Sequence, residues 1–138
     1  PFAYGRVVAK GGFDKKEHIT ELLSTIAKFD KDTKECNIGV RYVLSGYRNQ
    51  AYNRSIGSFS TSKHTIGLAI DFRATGSMDK ARMRSIGNQL ASKGWLVILY
   101  TTDWTKHVEN FIHVNLKQGS KVLWNIRGKL VNDGDVDV

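Results

Sequence analysis

The chain has 138 residues, 41% hydrophobic and 25% charged with a single proline, the composition of one globular domain rather than of a disordered or fibrous chain. No apolar run approaches the roughly 20 residues of a membrane-spanning helix, and the lone Cys36 excludes an intramolecular disulfide framework and a multi-cysteine metal site. The net charge is +8; Asp133, Asp135 and Asp137 follow every base, so residues 1–131 carry +11 and favour anionic partners such as nucleic acid, anionic lipid or acidic cell-wall polymer. No signal peptide is visible, and a start at Pro1 rather than Met leads to the expectation of an upstream segment that was removed or left out.

Residues 14–29 read as an amphipathic helix. Asp14 with Glu17 three later resembles a capping box, and Ile19, Leu22, Leu23, Ile26 and Ala27 recur at the spacing of one buried stripe. Val40 to Leu44, β-branched and aromatic, predicts a strand. Ser45-Gly46-Tyr47-Arg48 turns into a short helix over 49–56, which Gly57 ends, and a Ser-rich loop fills 57–63. Leu68, Ile70 and Phe72 alternate with Ala69, Asp71 and Arg73, a strand with one apolar face. A second helix covers 79–92 with Met83, Ile86 and Leu90 inward and Gly94 as its stop, and the continuously apolar Trp95–Tyr100 reads as a central strand. After a polar loop over 101–109, alternation returns from Phe111 to Leu116. It sets Ile112, Val114 and Leu116 on one face and Phe111, His113 and Asn115 on the other. Val122–Ile126 is the last predicted strand. Residues 132–138 are expected as a flexible acidic tail to a domain of residues 1–131. The whole reads as a single α+β domain, a mainly antiparallel sheet with flanking helices.

Asp71 and His113 are metal-capable side chains on the less apolar faces of strands whose other faces read as core. Such groups need a partner, whether a side chain, a backbone group or a metal. His64 stands seven residues before Asp71, at the end of the Ser-rich loop. Two histidines and one carboxylate would leave a fourth zinc position open for water, the pattern of catalytic sites, although spacing alone leaves coincidence as the alternative.

Ser62-Lys63-His64-Thr65-Ile66-Gly67-Leu68-Ala69-Ile70-Asp71 matches the pattern S-x-H-x-x-G-x-A-x-D of the zinc D-alanyl-D-alanine peptidases, a family related to lysostaphin-type enzymes and to the hedgehog signalling domain. Ser45-Gly46-Tyr47-Arg48 followed by Tyr52-Asn53 resembles the family's S-G-Y-R…Y-N segment. Phe111-Ile112-His113-Val114 resembles the strand that delivers its last ligand histidine, and the three blocks fall in the family's order over residues 45–116. The resemblance implies a hedgehog/D-Ala-D-Ala-peptidase-like fold, zinc (Zn2+) as cofactor, and His64, Asp71 and His113 as its ligands. Gly67 would let the chain turn between ligands, and the small Ala69 would leave room beside Asp71. The resemblance also implies Arg48 as a catalytic and substrate-binding clamp near the scissile bond, where a planar guanidinium suits a terminal carboxylate or a developing oxyanion. Ser62 is a further candidate for hydrogen bonding in the site.

Many members of the family carry an acid three residues before the last histidine, where this chain has Asn110, and some carry a histidine two before, where it has Phe111. Glu109 is therefore the first candidate general base, one residue out of step on a strand but recoverable by a bulge. His107 is the second and Asp103 the third. The family's histidine-valine-acid run reads His113-Val114-Asn115, a neutral departure beside the last ligand. Trp104 lines a substrate groove or holds an exposed structural place; Trp95 and Trp124 belong to the core. His18 is expected on an exposed helix side, and Lys80, Arg82 and Arg84 as a solvated helix face. The implied function is a zinc-dependent peptidoglycan hydrolase that cleaves a stem-peptide or cross-link amide bond next to D-alanine, as carboxypeptidase or endopeptidase, by attack of zinc-bound water. It would act on the bacterial cell wall as a periplasmic, extracellular or phage-borne (endolysin-like) monomer, with an anionic wall polymer as a further partner. Two alternatives stay open: a non-catalytic zinc-stabilised binding domain of the same fold, which Asn110 favours, and a nucleic-acid-binding module, which the charge supports but no recognisable motif does.

Overall fold

The computed structural model describes residues 7–9, 11–104 and 107–136; residues 105–106 of the predicted polar loop and the last two of the expected tail lie outside the described residues. Helices and strands follow in the order α1 (Lys16–Glu35), β1 (Val40–Ser45), α2 (Gln50–Ser55), β2 (Ala69–Ala74), α3 (Lys80–Ser92), β3 (Leu96–Thr101), β4 (Ile112–Asn115), β5 (Lys121–Ile126) and β6 (Lys129–Asn132). Short 3₁₀ turns occupy Lys63–Ile66 and Asp133–Asp135. The strands form one sheet in the order β1-β2-β4-β3-β5-β6, antiparallel at every junction except β3–β5, which is parallel. This is the mainly antiparallel α+β arrangement that the alternating segments predict.

Alternation along each strand sorts the two faces of the sheet. Ile70 and Phe72, Ile112 and Val114, Val97 and Leu99, and Val122 and Trp124 are buried in the core cluster, together with Leu22 and Phe29 of α1 and Met83, Ile86 and Leu90 of α3. Each such side chain contributes about 1.5–3 kcal/mol when fully buried, so this face carries most of the driving force for folding. Phe29 meets Phe72 edge-on at 4.9 Å, and α3 comes so near the sheet that a Cβ on Gly87 would lie 3.1 Å from Val122 Cγ1. The other face carries a row in register: Ser45, Asp71, His113, Ile98 and Leu123 lie side by side across β1, β2, β4, β3 and β5.

Several sequence expectations are corrected. Asp14 does not cap α1, which enters through Lys15 without a side-chain cap. Its Oδ2 instead accepts from the backbone N–H of Gln50, the first residue of α2, at 2.8 Å. The buried stripe of α1 is Leu22, Thr25, Phe29, Asp32 and Thr33, while Ile19 and Leu23 are exposed. The helix outruns its apolar pattern because polar residues complete the stripe. Thr25 and Thr33 donate to carbonyls one turn back, and Asp32 accepts the Trp95 Nε1–H at 2.7 Å.

β6 lies beyond the last predicted strand. Arg127 and Gly128, at φ 53° and 88°, make a two-residue turn that brings Lys129 opposite Ile126; with Arg rather than Asn or Asp in first place, the turn has no obvious sequence sign. The acidic segment expected as a flexible tail from residue 132 is in contact with the domain at its start. Asp133 Oδ1 accepts from Trp124 Nε1 at 2.6 Å and from Arg84 Nε at 2.8 Å.

Candidate metal centre

β2 and β4 are antiparallel neighbours in which Asp71 directly opposes His113, so each strand sends one ligand candidate out of the same face. His64 arrives from the 3₁₀ turn that precedes β2. Ser62 caps this turn, its Oγ accepting from His64 N–H at 3.3 Å. Gly67 ends the turn in the left-handed region at φ +81°, packed so closely on α1 that a Cβ would sit 2.8 Å from His18 O. The ligand atoms of His64, Asp71 and His113 all lie within 4.8 Å of one another.

Hydrogen bonds to carbonyl oxygens set both histidine tautomers. His64 Nδ1 lies 2.6 Å from Gly46 O, which only accepts, so Nδ1 carries the hydrogen and Nε2 keeps its lone pair. That Nε2 is buried 3.1 Å from Asp71 Oδ2 yet has no aligned hydrogen bond. His113 Nε2 lies 2.7 Å from Asn115 Oδ1. Asn115 Nδ2 donates to Gln118 Oε1 at 2.8 Å and to Leu116 O at 3.3 Å, which identifies the oxygen as the atom facing His113. His113 therefore presents Nδ1, 2.8 Å from Asp71 Oδ1.

Lone pairs from two nitrogens and a carboxylate thus converge, and such a set calls for a cation among them. Burial works against the charged form of Asp71, yet its closeness to the His64 and His113 rings outweighs burial and holds the carboxyl below the usual carboxylate range. Two imidazole nitrogens and a carboxylate oxygen, one of the nitrogens orphaned in a buried position, fit a divalent transition-metal ion.

The segment Ser45–Arg48 positions this set. Ser45 Oγ accepts from Arg48 Nε at 3.1 Å, and Arg48 Nη2 reaches Asp71 Oδ2 at 3.3 Å. Gly46 gives the carbonyl that orients His64. Tyr47 is fully buried, its hydroxyl accepting from Asp14 N–H at 2.9 Å and lying 2.8 Å from the Nδ1 of a half-buried His18, a residue expected to be exposed. Asn49 caps α2, and Asn53 donates to Phe59 O at 2.7 Å, which fastens the Ser-rich loop.

The three ligand candidates open onto a cavity of about 670 Å³, lined also by Arg48, Ser62, Lys63, Tyr100, Phe111 and Lys121. The structure does not bring the candidate bases into that lining. Glu109 is exposed, with its backbone N–H on Tyr100 O, and His107 is exposed in a bridge with Asp103. Asn110 uses its amide as a clip: Oδ1 accepts from Ala74 N–H at 2.9 Å and Nδ2 donates to Ala74 O at 2.8 Å, so this stretch of chain is drawn onto the end of β2. Trp104 is likewise outside the cavity lining. It packs edge-on against the core residue Trp124 at 4.5 Å, with Lys80 and Arg84 each 4.7 Å over its ring, and Arg82 donates to the Thr75 and Ser77 carbonyls, so all three bases read as a solvated face are engaged. Among the described residues, Asp71 is the sole carboxylate lining the cavity. Sequence reasoning missed Tyr100, hidden in an apolar run, and the part that Gln118 plays in holding Asn115.

A search of curated proteins finds no match. The family model described as Peptidase M15 matches residues 4–115, ending with the last residue of β4 and taking in all three ligand candidates and Arg48. A match over most of the chain, to the same family that the decapeptide resembles, settles the relationship: the chain belongs to the M15 peptidases, which are metallopeptidases.

Proposed function

We propose that this M15 peptidase is a zinc enzyme of the bacterial cell wall that hydrolyses a stem-peptide or cross-link amide bond next to D-alanine, as carboxypeptidase or endopeptidase. The observation that supports it most is the buried His64 Nε2, held 3.1 Å from Asp71 Oδ2 without a hydrogen bond of its own. Buried polar atoms are rarely left so in a site built only for structure. His64 Nε2, His113 Nδ1 and Asp71 would hold the zinc, which would supply Lewis acidity for lowering the pKa of water to roughly 7 and polarising an amide carbonyl. Arg48, steadied by Ser45, offers a guanidinium to the terminal carboxylate of the substrate or to its carbonyl oxygen. Lys63 and Lys121 make the cavity wall positive, which suits a stem peptide bearing free carboxylates, and the basic surface would concentrate the protein on an anionic wall polymer. Action at the wall would put the enzyme in the periplasm, outside the cell or on a phage particle. No helix among the described residues is long and apolar enough to cross a membrane.

A second reading, a zinc-stabilised binding domain without hydrolysis, draws on the lack of a further carboxylate in the cavity lining among the described residues. One paired experiment separates the two. Metal content is measured by elemental analysis, and release of D-alanine and of new amino groups from purified peptidoglycan is followed with and without chelator. One zinc per chain with chelator-sensitive release is expected; free D-alanine marks a carboxypeptidase and new amines without it an endopeptidase. One zinc with no release from several wall types favours the binding domain, and absence of metal removes both readings.

A further inference from the structure

β3 runs between β4 and β5, and its alternation puts Ile98 and Tyr100 on the face that carries the ligand candidates. Ile98 pairs with His113, and Tyr100 stands one row further along, opposite Asn125 of β5. The Tyr100 ring is braced edge-on against Phe111 at 4.9 Å, and both residues line the cavity. Phenylalanine would brace equally well. What tyrosine adds is a hydroxyl, and among the described residues that hydroxyl has no hydrogen-bond partner. Burial and the Asp71 charge push its pKa up, against a smaller opposing influence of Arg48. The hydroxyl is thus a neutral donor within electrostatic reach of both groups.

Amide hydrolysis makes a specific demand on this cavity. As water adds, the carbonyl oxygen gains negative charge, and hydrogen-bond donors already in place around it lower the barrier. Arg48 can supply one from the β1 side, although its Nη2 is partly committed to Asp71. The sheet order places Tyr100 on the other side of Asp71 and His113, on β3. We propose that Tyr100 is the second donor to the scissile carbonyl oxygen, hydrogen-bonding it from the β3 side as it becomes negative. This role rests on the peptidase reading above and adds a residue to it that touches the reacting atoms.

The test is Tyr100→Phe in the zinc-loaded protein, which keeps the ring against Phe111. Turnover is measured on a peptide ending in D-alanyl-D-alanine, and affinity is measured for a phosphinate dipeptide, whose tetrahedral anionic phosphorus centre mimics the charged carbonyl. The expected result is a kcat about 100-fold lower with KM nearly unchanged, and phosphinate affinity reduced by a similar factor. Zinc content and Tm stay at wild-type values. Unchanged kcat and phosphinate affinity, a loss confined to KM, or loss of zinc from the variant each overturn the role of Tyr100. If the wild type binds the phosphinate without measurable turnover, the affinity ratio decides alone. A wild type that neither hydrolyses the peptide, nor releases D-alanine or new amines from purified peptidoglycan, nor binds the phosphinate refutes the peptidase reading, and the role of Tyr100 with it; where only peptidoglycan is cut, kcat is compared on that substrate.

Discussion

Replacing Asn115 with alanine will weaken metal binding about 10- to 100-fold without touching a ligand atom. Asn115 is 2% exposed, and its Oδ1 accepts the His113 Nε2–H at 2.7 Å, so one bond both aims the ring and keeps the lone pair on Nδ1. Alanine leaves that N–H without its acceptor and frees the ring to turn or to take the other tautomer. A 10- to 100-fold loss is about 1.4–2.7 kcal/mol. At a fixed free zinc concentration well above Kd, the stability derived from the metal falls by the same amount. For a chain of this length, the Tm of the zinc-loaded variant then drops about 4–10 °C more than that of the metal-free variant. Chelator-competition titration gives the affinity, and paired melts with and without zinc give the stability. Asn115→Asp is the discriminating control. A carboxylate accepts the same bond, Gln118 can turn its amide to donate to it, and affinity stays at or above the wild-type value. Equal zinc affinity in Asn115→Ala and wild type would refute the reasoning.

His64→Ala and His113→Ala each lose most of the bound metal, and the rise in Tm on adding zinc disappears; a full metal complement in both, by elemental analysis, would put the site elsewhere. Gly67→Ala forces a Cβ to 2.8 Å from His18 O at a φ of +81°. It costs about 1–3 kcal/mol in urea unfolding, and a wild-type midpoint contradicts this account of the turn. Lys93, 2.9 Å from Glu35, holds the Glu35 carboxyl below its ordinary value of 4.5 by hydrogen bond and charge. With the folded pKa below the unfolded one, the stabilisation is present at neutral pH and fades as pH falls through the Glu35 range. Glu35→Gln therefore lowers Tm slightly at neutral pH, loses that effect as the carboxyl is protonated at low pH, and loses it in high salt. A Tm difference independent of pH and salt would exclude the ion pair as its cause.

Two of the ligand candidates are legible because they sit in short alternating runs. Ile70 with Phe72, and Ile112 with Val114, set a period of two that turns Asp71 and His113 away from the core whatever the rest of the fold does. Their direct opposition is a matter of register between strands far apart in sequence, and no local pattern states it. His64 is legible as part of the decapeptide pattern, whereas the Gly46 carbonyl that sets its tautomer is a backbone group with no sequence sign. The position of Glu109 relative to the cavity is not legible from its distance to His113 along the chain, because Asn110 draws that stretch onto the end of β2. Thr25, Asp32 and Thr33 lie on the buried side of α1, where a pattern of apolar residues cannot find them. Tyr100 closes a run of apolar residues and reads as part of a central strand, yet it lines the cavity.

Asp133 changes what counts as the unit that folds. Its Oδ1 takes both the Trp124 indole N–H and the Arg84 guanidinium, so an acid that resembles part of a solubilising tail ties α3 to β5. A chain ending at residue 131 would leave these two donors without their shared acceptor, at about 1–3 kcal/mol for each bond. Grafting, fusing or trimming this protein as a module must therefore carry it at least through Asp133, in the turn that follows β6.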